Sequence, residues 1–387
     1  MSIEESVSKN GWPTLYQAQR AVLLEMLIHG PQPRVDLART LGLSPPSLTR
    51  LARDLVEFGF LEEGHSQPRN VRGRPPEPLA ILPDSAHFLG IELTGRALYA
   101  VVTNLSSHVV ATREHILSSR KVEDVVALIA DVAGDMLRDF ARPAAIGVCL
   151  AGDVEQQAGR TMVVGSSFLH WSDPVPLGEL VGGATGLPTS ITNDVQALTA
   201  AHHWFGAGVG CRSLVVIAIG AGIGAGIVVA DEIVNGAHSR QGKIGHVIAD
   251  VRGTRTCQFG HAGCADAFVT MRGVAMDAGL GPDDYERAVA LAREGDERAQ
   301  MAFRDAATAL GAVIAQFVNV IDPDKVIVTG EGIDMAELAR DDLDRAVADR
   351  LDPRAARPPN IDVQGFVFEH YAWGAAITAL RDLLLSA

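Results

Sequence analysis

Residues 213–230 read SLVVIAIGAGIGAGIVVA, an uncharged run about as long as a membrane-spanning helix. Its composition favours strands, because Leu214–Ile219 and Ile227–Val229 are rich in β-branched side chains and the glycines between them are poor helix formers. We therefore predict a hairpin-like element of a soluble protein, with no membrane span. The run Gly220–Gly226 lets a ligand approach the backbone closely, or it serves only as a structural turn.

The chain around this hairpin alternates predicted strands and helices from about residue 80 onward. Phe88–Leu93 and Leu98–Val102 are expected to pair as a hairpin, Val122–Phe140 to form a helix, and Ala145–Leu150 to form a further strand. This alternation predicts an α/β fold with mixed sheets.

The first eighty residues instead predict three short helices. The first two are expected at Thr14–His29 and Val35–Leu41, with glycines at their ends. The third begins at Pro45, which suits the first helical position, and Ser44 can cap it. One face of this third helix is apolar and is expected to be buried; it consists of Leu48, Leu51, Ala52, Leu55 and Val56.

The other face of the third helix carries hydroxyl and guanidinium groups, from Ser47, Thr49, Arg50 and Arg53. Two short helices joined by a glycine turn, the second presenting such groups, are typical of a reader of the DNA major groove. Base contacts are expected from Thr49, Arg50 and Arg53, since arginine pairs with guanine edges.

A wing is expected to follow, beginning at Phe60–Glu63. The segment Gln67–Pro78 holds Arg69 and Arg72, expected on phosphates, and Arg74 in a Gly-Arg-Pro tip, expected in a minor groove. Residues 1–80 therefore predict a winged helix-turn-helix domain, built from helices plus a wing, that binds double-stranded DNA. The alternative is a small helical domain that binds protein and whose arginine loop is merely solvated.

Charge is unevenly distributed along the 387 residues, a length that suggests two or three domains. Residues 1–80 hold nine Lys/Arg and nine Asp/Glu and are neutral, so the whole formal net charge of −14 belongs to the remainder. Nucleic acid is therefore expected to approach only the N-terminal part. The four cysteines suggest no disulfide framework and residue 1 starts no signal pattern, so we expect a cytoplasmic protein.

Two groups of residues in the α/β part could carry chemistry. Asn193-Asp194 follows an apolar run, and a carboxylate beside an amide at a strand end can bind adjacent hydroxyls or act as a base; the same pair also occurs as a simple turn or helix cap. His246, Cys257 and Cys264 could bind zinc, with His261 or water as fourth ligand, or could be buried thiols beside a hydrogen-bonded histidine.

Four segments together resemble the ROK family of repressors, open reading frames and kinases. Ile217–Val228 is similar to the glycine-rich segment of the family, and Gly242–His246 to its Gly-Glu-x-Gly-His motif. Cys257–Asp266 is similar to its Cys-x-Cys-Gly-x-x-Gly-Cys-x-Glu motif, and Val318–Gly332 to a second signature on the nucleotide side. The resemblance implies an actin-like (ribonuclease H-like), two-lobed sugar kinase fold behind the winged helix-turn-helix.

The resemblance also implies boundaries and roles. The kinase-like domain is expected at 81–387, with lobes at about 81–200 and 201–370 and a C-terminal helix, 371–387, that returns to the first lobe. Dimers or tetramers are the usual assemblies of the family. Carried over by motif, sugar contacts are expected from Asn193, Asp194, Lys243, His246 and Asp266, and zinc ligation from His246, Cys257 and Cys264.

The chain departs from the family pattern at three places. Glu92-Leu-Thr-Gly-Arg96 stands where family kinases have Asp-x-Gly-Gly-Thr, so phosphates could not approach the loop closely and neither ATP binding nor kinase activity is expected. Phe259 replaces a zinc cysteine, which leaves His261 as a substitute. Lys243 replaces a glutamate and cannot accept sugar hydroxyls, so the ligand is anionic, or Lys243 points away and the ligand is neutral or absent.

These observations predict a repressor of carbohydrate genes. A sugar, sugar phosphate or sugar acid is expected to bind between the lobes and to lower operator affinity through lobe closure. The alternatives are a sugar kinase with an added DNA-binding domain, an activator, or a repressor whose second domain only dimerises.

Overall fold

The computed structural model describes residues 12–63, 78–140, 142–354 and 358–385. The chain divides into two compact units, Met1–Ala197 with Tyr371–Ala387, and Leu198–His370. Helices and mixed sheets alternate through both, which confirms the predicted α/β class. The proposed boundary between a DNA-binding domain and a kinase-like domain at residue 80 stays a prediction, because the first unit runs through it.

The N-terminal segment, here called the head (residues 12–82), contains the three expected helices and a small sheet. The helices are α1 (Gln17–His29), α2 (Arg34–Thr40) and α3 (Pro45–Glu57), and the strands are β1 (Gln32–Pro33), β2 (Leu61–Glu63) and β3 (Pro78–Ile81). α1 buries one apolar face at Val22, Leu23, Met26 and Leu27. It ends at Gly30, which has a φ of 74°.

Helix α3 has the predicted cap and the predicted buried face. The Ser47 N–H donates to the Ser44 hydroxyl at 3.3 Å, and Pro45 occupies the first helical position. Four of the five expected apolar residues are fully buried, and Val56 is half-buried. β2 begins the expected wing and pairs with β3 in the order β1-β3-β2. The wing arginines Arg69, Arg72 and Arg74 lie outside the described residues.

The first unit continues with a five-stranded sheet. Its strands and a neighbouring pair are β4 (His87–Leu93), β5 (Ala97–Asn104), β6 (Val109–Ile116), β7 (Pro143–Leu150), β8 (Asp153–Gln157), β9 (Arg160–Gly165) and β10 (Thr189–Asn193). The helices are α4 (Val122–Met136), α5 (Leu177–Thr185) and α6 (Asp194–Phe205). In the sheet order β10-β7-β4-β5-β6, strands β4, β7 and β10 are parallel, so their carboxyl ends share one edge.

The second unit contains another five-stranded sheet, in the order β13-β12-β11-β14-β15. Its strands are β11 (Leu214–Ile219), β12 (Ile223–Val229), β13 (Glu232–Ile233), β14 (Lys325–Thr329) and β15 (Ile361–Val363). Its helices are α7 (Asp266–Val269), α8 (Met271–Asp277), α9 (Tyr285–Glu294), α10 (Glu297–Ile321), α11 (Asp334–Leu338) and α12 (Arg340–Ala348). β11 and β12 pair antiparallel, Leu214 opposite Val228, which confirms the predicted hairpin.

The last helix, α13 (Glu369–Leu385), packs on the sheet of the first unit. Two glycines permit this contact. A Cβ on Gly90 of β4 would lie 1.9 Å from the Ala372 carbonyl oxygen, and one on Gly147 of β7 would lie 1.8 Å from that of Ala375. Any larger residue would therefore push the helix off the sheet. The chain passes from one unit to the other within α6 and within α13.

One helix among the described residues has the length and composition of a membrane span, namely α10. Its most apolar stretch is 61% buried inside the protein, against α8, α9 and α12 among others. The apolar residues of α10 are therefore explained by its position in the core of the second unit.

Candidate DNA-binding and effector-binding sites

The outer face of α3 presents the side chains predicted to contact DNA, and they differ in whether they already have a partner within the protein. The Thr49 hydroxyl donates to the Pro45 carbonyl at 2.9 Å, and the Ser47 and Ser44 hydroxyls lie 2.8 Å apart at the helix start. Arg53 is exposed and lies 3.9 Å from the Glu57 carboxylate. These residues are placed on one surface, but three of the four already have partners within the helix.

Arg50 differs from its neighbours. Among the Lys and Arg residues of the head that the structure describes, Arg20, Arg34, Arg39 and Arg53 each have a hydrogen bond or ion pair. Among the described residues, none is an ion-pair or hydrogen-bond partner of the exposed Arg50 guanidinium, so it can donate to an external acceptor without first breaking such a contact.

The base of the wing is fixed to the helices by an ion pair. Arg34, the first residue of α2, lies 2.6 Å from the Glu63 carboxylate at the end of β2. Inside the head, the buried Gln19 amide donates to Asp54 at 3.0 Å, which ties α1 to α3. The Gln19–Asp54 contact helps to hold α3 in a defined orientation, as groove recognition requires, whereas the Arg34–Glu63 pair joins α2 to the base of the wing.

Asn193 and Asp194 lie where β10 ends and α6 begins, at the shared carboxyl edge of the first sheet. The Asn193 amide donates to the Gly152 carbonyl at 3.2 Å, just beyond the end of β7. The Val195 N–H donates to the side-chain oxygens of both residues, at 3.0 and 2.8 Å. Ligands of α/β proteins commonly bind at this edge of a sheet.

Burial raises the pKa of Asp194 to about 6, against hydrogen bonds from Val195 and Asn193 that favour the ionised form. Burial, then Glu92, and to a smaller extent the Asp194 carboxylate raise the pKa of the nearby Cys149 thiol. A half-buried carboxylate of this kind can accept two hydroxyls near neutral pH and becomes a donor in mild acid.

The Glu92–Arg96 segment reaches the same edge from β4. The Thr94 hydroxyl accepts the N–H groups of Arg96 and Ala97 at 3.2 and 2.9 Å. Arg120 donates to the Gly95 carbonyl at 2.7 Å, and a Cβ on Gly95 would lie 2.8 Å from the Phe168 carbonyl oxygen. Two backbone donors of the turn are therefore used internally, which leaves fewer for a phosphate.

Glu92 itself is buried, with 2% of its surface exposed, and accepts a hydrogen bond from the Cys149 thiol at 2.8 Å. The same thiol lies 3.2 Å from the Tyr371 carbonyl on α13. Glu92 therefore forms part of a buried contact between β4 and β7 beneath the edge.

The remaining effector candidates lie in the second unit. The Asp266 N–H donates to the Gly245 carbonyl at 2.7 Å, and the Ala225 N–H to the Gly242 carbonyl at 2.8 Å. These bonds bring exposed Lys243 and His246 to the same segment as Asp266. The structure thus groups the candidates into two sets, one in each unit, and their joint role stays a prediction.

His246, Cys257 and Cys264 have the geometry of a metal centre. One ligand atom from each lies within 4.8 Å of the others, and His246 Nδ1 is 4.0 Å from Cys257 Sγ. Tetrahedral zinc would hold a sulfur and a nitrogen about 3.6 Å apart. Burial raises the pKa of Cys257, but hydrogen bonds from backbone N–H groups of Phe259 and His261 outweigh it and lower the pKa overall.

His261 and Phe259 are the two positions that could provide a fourth ligand, and only His261 carries a donor atom. The His261 ring centroid is 4.4 Å from that of His246, whereas Phe259 points outward with 67% of its surface exposed. Phe259 meets the His246 ring edge-on, with centroids 5.5 Å apart. The donors present fit zinc with two thiolates and one imidazole, and His261 is near enough to approach as the fourth ligand.

The loop that carries these ligands is anchored by Arg255, which the sequence analysis did not single out. Its guanidinium lies 2.7 Å from Asp277 and 2.6 Å from Asp305, and over the Phe268 ring at 4.6 Å. No local motif marks such a contact, because its partners lie on α8 and α10, far along the chain.

Comparisons with known proteins agree with the described geometry. A model of the ROK family matches residues 88–381, and a model of the IclR helix-turn-helix domain matches residues 19–64. The DNA-binding transcriptional repressor Mlc of Escherichia coli (strain K12) is 24% identical over 373 residues, 92% of this chain and 90% of Mlc. The xylose repressor of Caldicellulosiruptor bescii is 23% identical over 340 residues, 82% of this chain and 84% of that protein.

Among solved structures, a ROK family transcriptional regulator described as a homologue of E. coli Mlc superposes with a TM-score of 0.80. It is 24% identical and covers 95% of this chain and 98% of its own. This likeness confirms the expected fold, a helix-turn-helix head followed by a kinase-like α/β part. Since the family model spans most of the chain, this protein belongs to the ROK family.

Proposed function

We propose that this protein is a DNA-binding repressor of carbohydrate genes whose kinase-like part binds a sugar or sugar derivative without phosphorylating it. The observation that carries the proposal is α3, a capped and firmly packed helix with an outward-facing Arg50, in a chain of the ROK family. Relatives along nearly the whole length are named as repressors, one of them a xylose repressor.

DNA recognition is assigned to α3 in the major groove. Arg50, Arg53 and Thr49 face base edges, Ser47 lies near the backbone at the helix start, and Arg69, Arg72 and Arg74 of the wing face phosphates and the minor groove. The charge distribution supports this orientation, because residues 1–80 are neutral whereas the remainder carries the net charge of −14 and as a whole repels phosphates.

Two features support binding of a ligand without catalysis: the hydrogen bonding of the Glu92–Arg96 turn and the position of Glu331 beside the glycine-rich turn. The Glu92–Arg96 turn satisfies its own backbone donors through Thr94. In the second unit, a Cβ on Gly220 would lie 2.5 Å from Glu331 Oε2, so a carboxylate lies against the glycine-rich turn and opposes phosphate groups there. Neither arrangement favours ATP, so we assign no kinase activity.

The effector contacts are assigned to Asn193 and Asp194 in one unit and to Lys243, His246 and Asp266 in the other. The carboxylates and the Asn193 amide suit vicinal hydroxyls, and Lys243 suits a phosphate or carboxylate on the ligand. A zinc ion held by His246, Cys257 and Cys264, with His261 or water in the fourth position, would act structurally by fixing the His246 ring. The protein is expected to act in the cytoplasm as a homodimer or tetramer.

The experiment that tests the proposal is selection of bound duplexes from a random DNA pool. It is repeated with D-glucose, D-xylose, N-acetyl-D-glucosamine, glucose 6-phosphate and gluconate. We expect one enriched operator sequence, and release of that operator by at least one of the compounds. Failure to enrich any sequence at low salt would contradict the proposal that the protein is a DNA-binding regulator. ATP consumption in the presence of the neutral sugars would restore the kinase alternative.

A further inference from the structure

The C-terminal end of α3 is held by a side chain of the α/β part. Arg142 directly precedes β7, and its Nη1 donates to the Phe58 carbonyl at 3.0 Å. Phe58 is the C-cap residue of α3. The same guanidinium lies over the Phe60 ring, 5.5 Å from its centroid.

This contact has a clear electrostatic basis. The last carbonyls of a helix have no partners within the helix and carry the negative end of its dipole, so a cation there is favourable. No basic side chain occupies the last turn of α3 itself. Arg142 has a φ of 50°, in the left-handed region that residues other than glycine rarely adopt, and such backbone persists where surrounding contacts fix it.

Aromatic packing reinforces the same junction. Trp12 contacts Phe60 of the head and Phe88 of β4, with ring centroids 4.8 and 6.0 Å apart. All three rings are buried, with at most 5% of their surface exposed. The Leu82 N–H also donates to the Phe60 carbonyl at 2.8 Å, which fixes the segment that connects β3 to β4.

β7 connects this junction to the candidate effector residues. Its first residue follows Arg142, and just beyond its last residue the Gly152 carbonyl accepts the Asn193 amide. The strand, about 25 Å long, is paired with β4 from Pro143 to Leu150, with one register shift between His87 and Phe88, and with β10 from Ile146 to Leu150. A strand so constrained moves as one piece.

From this arrangement we infer that Arg142 is the positioning residue that couples the effector site to α3. A ligand that draws Asn193 away from Gly152 shifts β7, and Arg142 passes the shift to Phe58 and so to the tilt of α3 in the groove. The inference rests on the proposed function, because it assigns the route by which the ligand lowers operator affinity.

The first test needs no ligand and compares R142A and R142K with R138A in the full-length protein. Arg138 is a matched control, since it is exposed and only pairs with Asp135 at 3.7 Å. We expect amide hydrogen exchange at Phe58, Gly59 and Phe60, whose N–H groups bond to the last carbonyls of α3, to rise at least about tenfold in R142A, less in R142K, and not in R138A. Unchanged exchange in R142A would overturn the inference.

The second test uses the selected operator and whichever of the five compounds releases it from the unmodified protein. In R142A the operator affinity should change by less than about twofold with that compound, while the thermal shift the compound produces stays the same. Full release by R142A would contradict coupling through Arg142. If no compound releases DNA from the unmodified protein, the effector part of the proposed function fails, and hydrogen exchange alone decides whether Arg142 holds α3.

Discussion

Arg50 is the residue on α3 whose contribution to DNA binding we expect to be the most specific. Its guanidinium has no partner among the residues that the structure describes, whereas Arg53 must leave Glu57 and the Thr49 hydroxyl is bonded to its own helix. We therefore expect R50A to lose about 1–3 kcal/mol of binding to the selected operator and to relax the preference at one base position.

The measurement is a repeat of the duplex selection with R50A, together with the affinity for the original operator. R39A is the control, because Arg39 is equally exposed in the head but pairs with Asp36 at 2.6 Å. A uniform loss of affinity over all sequences in R50A would mean that Arg50 contacts phosphate and not a base.

Asp194 predicts a pH dependence of both stability and ligand binding. Its pKa in the folded protein is about 6, above the ordinary 3.8, so the folded state takes up the proton more readily than the unfolded state. Stability therefore falls as pH rises from about 4 to 6, and the penalty persists above pH 6. D194N removes the ionised form. Its free energy of unfolding should therefore exceed that of the unmodified protein by about 1–3 kcal/mol at pH 8 and should equal it near pH 3.

Denaturant unfolding at both pH values measures this difference. The control is D153N, at the start of β8 and shortly after the end of β7. Binding of a neutral sugar should weaken below pH 6 in the unmodified protein, because the carboxylate is then lost as an acceptor. If the stability difference between D194N and the unmodified protein is the same at pH 8 as at pH 3, the Asp194 charge is not buried.

We expect Phe259 to limit how tightly the proposed zinc is held. Three potential donor atoms lie within 4.8 Å of one another, and the resemblance to the family motif implies a fourth ligand, a cysteine, at the position of Phe259. F259C should raise zinc affinity at least about tenfold in chelator competition, since a thiolate completes the tetrahedron. F259S is the control for loss of the ring. Equal affinities of F259C and F259S would show that residue 259 cannot reach the metal.

Helix α13 depends on the two glycines beneath it. G90A places a methyl group 1.9 Å from the Ala372 carbonyl oxygen, so we expect a loss of at least about 3 kcal/mol in stability. G134A, in the interior of α4 with no atom within 4 Å of the added methyl group, should instead stabilise by about 0.5–1 kcal/mol. Thermal unfolding of both variants checks the contrast, and a stable G90A would mean that α13 is free to shift.

At this scale the sequence predicted the helices of the head and several strands and helices of the α/β part, but it did not assign the helices between Asp266 and Ala348, although α9 and α10 each have a buried apolar face. The Leu214–Val229 hairpin, α1 to α3 and strands β4, β5 and β7 were all predicted, because each has a continuous apolar face or a cap. β6, β8 and β9 were not, since β6 is mostly exposed and β8 and β9 contain one fully buried residue between them. The helix predicted at Val122–Phe140 ends at Met136, where the buried face of α4 also ends.

The candidate sites show the same limit. Asn193, Asp194 and the ligand set of His246, Cys257 and Cys264 could be named because strand ends and ligand spacing are local in sequence. Arg142 and Arg255 could not, because their partners lie 84 and 50 residues away and no periodicity relates them. The internal bonding of the Thr94 turn likewise depends on hydroxyl orientation, which residue type alone does not give.

For the molecule as a whole, the proposed function requires that operator and effector binding oppose each other reciprocally. If a compound lowers operator affinity by some factor, saturating operator must lower the affinity for that compound by the same factor, because the two bindings are linked through one equilibrium. The factor expected for such coupling is about 5–150. Titration calorimetry of the compound, with and without the selected duplex, measures it directly. A duplex of scrambled sequence is the control and should leave the compound's affinity unchanged. If the operator leaves it unchanged as well, release of DNA cannot arise from two states of this chain, and the compound must compete for the DNA-binding surface or act on the DNA itself.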